Sequence, residues 1–284
     1  MKPALEPGIS NLTDASFKAF RLYQPAFEPH WHYHPEVELV LFLRGKGMRF
    51  IGEDVALYEE GEVYLLGKNL PHTFVTYADA ATPLVEALCI QFPATLFGPF
   101  RECRAVQALV QEANRGLVFP AVPPALVQDI QRVLNSHGVE ALAALLHTLN
   151  RLAQTARQPV IRQPHQPTSL PLENPTRIQH AVDFIQATYQ RPVTLAEIAD
   201  HCHLSPNAFC RWFKAQLGLT FVAYLHSVRL AHVCQRLLST DEAIGHIALQ
   251  TGFEHSSTLN RLFRQKMGTS PGQYRRNRPG PTTG

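Results

Sequence analysis

The chain is predicted to be multidomain, with an N-terminal all-β barrel with flanking helices and a C-terminal all-α domain. Three observations carry this prediction. Short apolar runs broken by turn signals fill most of the first hundred residues. A proline-rich stretch, RQPVIRQPHQPTSLPLENP, interrupts the chain at 157–175. Beyond it, a pattern of short helices repeats at an offset of 50 residues. A chain of 284 residues is long enough for two cores.

Residues 1–25 give no strong periodicity and are expected to form an arm and a first strand. From Ala26 to Leu96 the apolar runs Val37–Leu43, Met48–Ile51, Val63–Leu66 and Leu84–Phe92 are expected strands. Arg44-Gly45-Lys46-Gly47, Gly52-Glu53-Asp54 and Glu59-Glu60-Gly61 separate them as turns. Many short strands at near-regular spacing predict a sandwich or small barrel over 1–97, and a barrel interior can hold a ligand.

The polar residues for such an interior lie in PHWHYHPEVELVLFLRG. Side chains two apart on a strand share a face, so His30, His32 and His34 should project together. Glu36 and Glu38 would join them on a straight strand, unless Pro35 bends it. His72, in NLPHTF, lies across a hairpin-like segment. Several imidazoles and a carboxylate on one face suit a divalent metal or a polyol.

The spacing His32-x-His34-x3-Glu38-x6-Gly45 resembles the first motif of the cupin superfamily, and Gly61 followed eleven residues later by His72 resembles the second. The second motif departs at Gly67, Asn69 and Thr76, where Pro, Gly and Asn are usual. In metal-binding cupins the resemblance makes His32, His34, Glu38 and His72 the ligands. Three readings stay open: packed histidines without a ligand, a sugar or polyol pocket using His30, His32, His34, Glu38 and His72, and a divalent metal on the last four. No cofactor is required. A metal-dependent cupin enzyme would be a special case of the third reading, and the C-terminal half argues against it.

From 98 to 156 the period becomes helical. Val106, Leu109, Val110 and Ala113 form one stripe, and Leu126, Ile130, Val133 and Leu134 a second. Leu142, Leu145, Leu146, Leu149 and Leu152 form the third. These helices are expected to cover the barrel and could also support a homodimer. The linker at 157–175 ends this part.

Composition agrees with the division. The chain is 45% hydrophobic and 17% charged, as in ordinary soluble proteins, with no apolar run of about 18 residues to span a membrane. The N-terminal MKPALEPGISNLTDASF has no apolar core segment, so no secretory signal is expected. Cys89, Cys103, Cys202, Cys210 and Cys234 are odd in number and form no CxxC pair, which fits a reducing cytoplasm. Residues 1–155 carry 12 Lys and Arg against 16 Asp and Glu, whereas 176–284 carry 12 against 6. The basic third is the part expected to meet a polyanion.

That basic third holds the repeat. Arg211-x-Phe213-Lys214 aligns with Arg261-x-Phe263-Arg264, Leu217-Gly218 with Met267-Gly268, and Tyr224 with Tyr274. Ile198-Ala199 parallels Ile247-Ala248 one residue out of step. Ser205-Pro206 and Ser270-Pro271 are N-cap signals, and Phe221 to Leu238 should run as one connecting helix. Two helical hairpins joined by a stiff helix can each present a helix to successive major grooves.

Over about 100 residues, from Thr176 to Arg276, the pattern resembles the DNA-binding domain of the AraC/XylS family of bacterial transcription regulators. Arg211-x-Phe213-Lys214-x3-Gly218 and Ile244-x2-Ile247-Ala248-x3-Gly252-Phe253 carry it, with Phe263-Arg264-x3-Gly268-Thr269-Ser270-Pro271-x2-Tyr274-Arg275. Leu259 departs, since many members carry an aromatic residue there. The resemblance implies a double helix-turn-helix over 176–278, followed by a short tail at 279–284. It also implies DNA-contacting residues Asn207, Cys210, Arg211 and Lys214 in the first unit, and His255, Ser256, Asn260, Arg261 and Arg264 in the second. Double-stranded DNA, RNA polymerase and a small-molecule effector, sugar or polyol by the look of HPEVEL, FIGE and LLGKNLPHTF, are the implied partners. The implied activity is regulation of transcription, most often activation, with no catalysis. An effector-independent regulator with a purely structural barrel is the alternative.

Overall fold

The computed structural model describes residues 15–25, 27, 29–76, 84–161 and 175–276. Expectations for the arm before residue 15, for most of the proline-rich linker and for the tail fall outside them.

The β part has two sheets. The larger runs in the order β1 (Lys18–Gln24), β7 (Val85–Phe92), β2 (Val37–Arg44), β5 (Val63–Leu66), β8 (Leu117–Phe119) and β9 (Gln158–Pro159). The smaller places β3 (Gly47–Ile51) between β4 (Asp54–Tyr58) and β6 (His72–Thr76). β4 and β6 escaped the apolar-run reading because both mix polar and apolar residues. Asp54, expected in a turn, opens β4.

β2 is buried on both faces, which explains its unbroken apolar sequence. Leu39 and Leu41 point outward into a core shared with the helices, while Glu38, Val40 and Phe42 point into the barrel. The outward core is closed by α1 (Arg104–Glu112), α2 (Pro124–Asn135) and α3 (Gly138–Ala153). Val106, Leu109, Leu126, Ile130, Val133, Leu145, Leu149 and Leu152 are buried there, so the three helical stripes cover the large sheet as expected. The 98–156 stretch is not purely helical, however. Its Leu117–Phe119 adds β8 to the sheet, and 158–159, expected in the linker, adds β9. Pro159 is tolerated because β9 is the sheet's edge strand.

The helical domain comprises α4 (Pro175–Thr188), α5 (Leu195–His201), α6 (Pro206–Leu217), α7 (Phe221–Ser239), α8 (Ile244–Gln250), α9 (Ser256–Met267) and α10 (Pro271–Arg276). The repeat is plain in the structure. Helices α5 and α8 have 7 residues each, and α6 and α9 have 12 each. Gly218 and Gly268 end the longer pair in the left-handed conformation, at φ +71° and +68°. Ser205 caps α6 by accepting from the Ala208 amide, and Thr220 caps α7 through the Ala223 amide. No single helix among the described residues is long and apolar enough to cross a membrane.

The two parts share a core, which the proline-rich boundary gave no reason to expect. The outer face of the small sheet, with Met48, Phe50 and Val75, is buried in the same cluster as Tyr224, Val228 and Phe213 of the helical domain. The Trp31 ring lies 6.1 Å from Phe50 and 5.3 Å from Tyr224. At the rim, Lys266 Nζ donates to the Glu53 carbonyl at 2.8 Å.

Candidate functional site

Two places bring polar chemistry together: the barrel interior and the exposed faces of α6 and α9. In the barrel, Glu38 opens the inward face of β2, and His72 is the first residue of β6. His32 is held opposite His72 by a reciprocal backbone pair, His32 N to His72 O at 3.1 Å and His72 N to His32 O at 3.0 Å. His34 follows on the same segment. The ligand atoms of His32, His34, Glu38 and His72 all lie within 4.8 Å of one another.

The ring orientations are fixed by the backbone. His32 Nδ1 faces the His30 carbonyl at 2.9 Å, His34 Nδ1 the Glu36 carbonyl at 3.1 Å, and His72 Nδ1 the Leu70 carbonyl at 2.8 Å. A carbonyl can only accept, so each Nδ1 carries a proton and donates it. That leaves each Nε2 as the nitrogen available to a ligand or a second proton. His34 Nε2 and His72 Nε2 stand 3.2 Å and 2.8 Å from Glu38 Oε2. Gln91 Nε2 supports the carboxylate from behind, donating to Oε1 at 3.3 Å. Three imidazole nitrogens and one carboxylate are the donor set of a zinc-like divalent cation, so these residues fit a metal.

The electrostatics agree. Burial, followed by the neighbouring His72, lowers the His32 pKa well below the ordinary imidazole value, which favours the neutral, ligating form. Burial alone would raise the Glu38 pKa, but the hydrogen bonds and charge of His34 and His72 together outweigh it and hold the carboxyl well below the usual range. Beside the cluster is a cavity of about 260 Å³, lined by His30, His32, Glu38, His72 and Thr73 on its polar side and by Phe27, Phe42 and Phe74 on its apolar side. A polar end facing aromatic walls suits a small polyhydroxylated molecule.

Four of the six histidine and glutamate positions singled out from the sequence therefore meet. His30 does not join the four. It stacks on His32 at 5.5 Å between ring centroids and lines the cavity instead. The segment 29–36 is irregular apart from the His32 bridge, and a bend at Pro35–Glu36 takes Glu36 out of line. Its Oε2 reaches only to 3.6 Å from His34 Nδ1. Asn69, standing where glycine is usual, adopts φ +57°, a region Asn tolerates better than most residues. Its amide donates to the His34 carbonyl at 2.7 Å and so helps fix the cluster.

In the helical domain, the buried stripe of α6 is Phe209, Phe213 and Leu217, and that of α9 is Leu259, Leu262 and Phe263. Leu259 is fully buried, so its departure from an aromatic residue concerns packing. On the opposite faces Asn207, Cys210, Arg211 and Lys214 are exposed on α6, and His255, Ser256, Arg261 and Arg264 are exposed at the start of α9 and along it. Asn260 is half-buried, and its Nδ2 donates to the Ser256 carbonyl at 2.9 Å. Arg229, part of the sequence pattern, is buried and holds the domain together. Its Nε and Nη2 donate to the Tyr189 and Arg191 carbonyls, both at 2.8 Å.

A helix-turn-helix domain family matches residues 198–277. The melibiose operon regulatory protein of Escherichia coli K12 is 25% identical over 264 residues, spanning 89% of this chain and 85% of that protein. The HTH-type transcriptional activator RhaR of Klebsiella pneumoniae is 25% identical over 280 residues, spanning 95% of each. The bifunctional transcriptional activator/DNA repair enzyme AdaA of Bacillus subtilis is 31% identical over 109 residues, only 38% of this chain and 52% of that protein. With a β-rich N-terminal domain ahead of it, the 198–277 region is an AraC-type helix-turn-helix domain, and the chain is similar over most of its length to DNA-binding transcription regulators that carry one.

Proposed function

We propose that this regulator is controlled by a small polar ligand, a sugar or sugar alcohol, bound in the barrel beside the histidine cluster. A divalent cation on His32, His34, Glu38 and His72 would supply a Lewis-acidic anchor for hydroxyl groups. The observation that carries this reading is the convergence of three imidazoles and one carboxylate beside an aromatic-lined cavity that His32, Glu38 and His72 also line. The full-length likeness to a melibiose operon regulator and to a transcriptional activator supports a sugar-type effector and activation as the outcome.

On DNA, Arg211 and Arg261 are placed to read guanine edges, and Asn207 and Asn260 adenine edges. Cys210, His255 and Ser256 complete the two exposed faces, with Lys214 and Arg264 set one turn on for phosphate. Helices α1 to α3 are the surface on which a homodimer would form, and RNA polymerase is the partner that activation requires.

A thermal-shift screen of the chelator-stripped chain tests the sensor reading, with zinc alone and with sugars and sugar alcohols. A ligand at about 100 times its dissociation constant adds roughly 2.7 kcal/mol to the domain that binds it. If neither zinc nor any sugar or polyol raises the melting temperature, the barrel is structural and the regulator is effector-independent.

A further inference from the structure

The segment HWHYH alternates its side chains between two domains. His30, His32 and His34 turn into the barrel, where His32 and His34 belong to the four-residue cluster and His30 and His32 line the cavity. Trp31 and Tyr33 turn the other way and pack in the core of the helical domain. Trp31 is 1% exposed, sits edge-on to Tyr224 of α7 at 5.3 Å, and gives its carbonyl to Gln186 Nε2 of α4 at 3.4 Å. Its indole Nε1 is buried without a hydrogen-bond partner. Buried tryptophans usually satisfy that group, so this contact costs something to keep.

We propose that Trp31 is a latch that docks the DNA-binding domain onto the small sheet and is released when the histidine cluster is occupied. The inference rests on the barrel being a ligand site, as proposed above. The mechanical argument is short range. Adjacent residues of one short segment cannot move independently, so drawing His32 and His34 toward a bound cation displaces Trp31 and Tyr33. Their partner Tyr224 lies on α7, the helix that joins the two helix-turn-helix units. Near the far end of the same contact, Lys266 of α9 is tied to the Glu53 carbonyl. While docked, the barrel therefore grips both α7 and α9. A ligand releases this grip only by binding the undocked state more tightly, and DNA must then favour the same state.

The chain has two tryptophans, so Trp212→Phe leaves Trp31 as the sole reporter in the full-length protein. Without zinc, its emission should be blue-shifted and poorly quenched by acrylamide. Adding zinc, or a duplex selected by the full chain from a random pool, should shift it to the red and at least double the quenching. Trp31→Ala should bind that duplex at least tenfold more tightly without zinc and lose the zinc dependence, while calorimetry still records zinc binding. Trp31→Phe serves if the alanine variant fails to fold. Zinc heat with unchanged Trp31 emission overturns the relay and leaves the metal site standing. No zinc heat overturns the metal reading, and the latch is then decided by DNA. A Trp31 shift on duplex binding supports it, and an unchanged emission overturns it.

Discussion

His72 Nε2 stands 2.8 Å from Glu38 Oε2, joining the first residue of β6 to the second residue of β2 across two different sheets. With its Nδ1 proton already given to the Leu70 carbonyl, His72 can face that carboxylate closely only by carrying a second proton or by sharing a cation with it. Replacing Glu38 by Gln removes the one formal negative charge among the four converging side chains. Zinc affinity measured by calorimetry should fall at least tenfold, since even residues that merely support a ligand change affinity by about 10–100-fold. Unchanged zinc affinity in Glu38→Gln would show that the cluster is a hydrogen-bonded core.

The sequence made the DNA-binding half almost fully legible, because its signals are local. Glycines at the helix ends, Ser-Pro caps and apolar residues at three- and four-residue spacing act within one turn, and the 50-residue repeat counts the glycine and apolar signals twice. The cluster of His32, His34, Glu38 and His72 was legible from spacing, although its backbone is irregular rather than a strand. Less visible were β4, β8 and β9, whose pairing is set by partners far along the chain. The role of Trp31 was not legible at all. Alternation turns it away from the histidines, but only the docked Tyr224 shows what it meets on that side.

Arg211 and Arg261 occupy equivalent, exposed positions on α6 and α9, 50 residues apart. On the proposed reading each makes a bidentate bond to guanine, worth about 1–3 kcal/mol of discrimination. Arg211→Ala and Arg261→Ala should therefore each relax base preference in a different half of the operator, as read by selection from random duplexes. Lys214→Ala should weaken all sequences alike and reduce the salt dependence. If the two arginine variants lose affinity uniformly, both residues are phosphate contacts.

Gly252 ends the turn after α8 at φ +85°. A Cβ there would overlap the Tyr189 carbonyl oxygen and lie 2.7 Å from Arg229 Nε. Those two atoms are themselves bonded, so the methyl group would enter the junction that ties the α4–α5 connection to the second helix-turn-helix. Gly252→Ala should destabilise the protein by more than about 1 kcal/mol, combining backbone strain with the disturbed Arg229 bonds. Gly245→Ala, in α8 with open space around it, should instead be neutral or stabilising in the same urea titration.

His232 stacks face to face on Tyr189, with centroids 4.1 Å apart and planes 4° from parallel. Burial outweighs an opposing hydrogen bond with Gln235 and, with a smaller push from the nearby Arg236, lowers its pKa from 6.5 to about 4. The unfolded chain thus takes up a proton below pH 6.5 that the folded chain refuses until about pH 4. Its contribution to stability is complete above pH 6.5, declines as the pH falls toward 4, and is constant below that. A tenfold difference in proton affinity between the folded and unfolded chain is worth about 1.4 kcal/mol, so this residue accounts for roughly 3 kcal/mol of acid sensitivity at most. His232→Phe keeps the stack and removes the titration. Urea denaturation at pH 7 and pH 4.5 should show a smaller loss of stability in the variant than in the parent protein. An equal loss in both would mean that His232 is protonated as readily in the folded state as in the unfolded one.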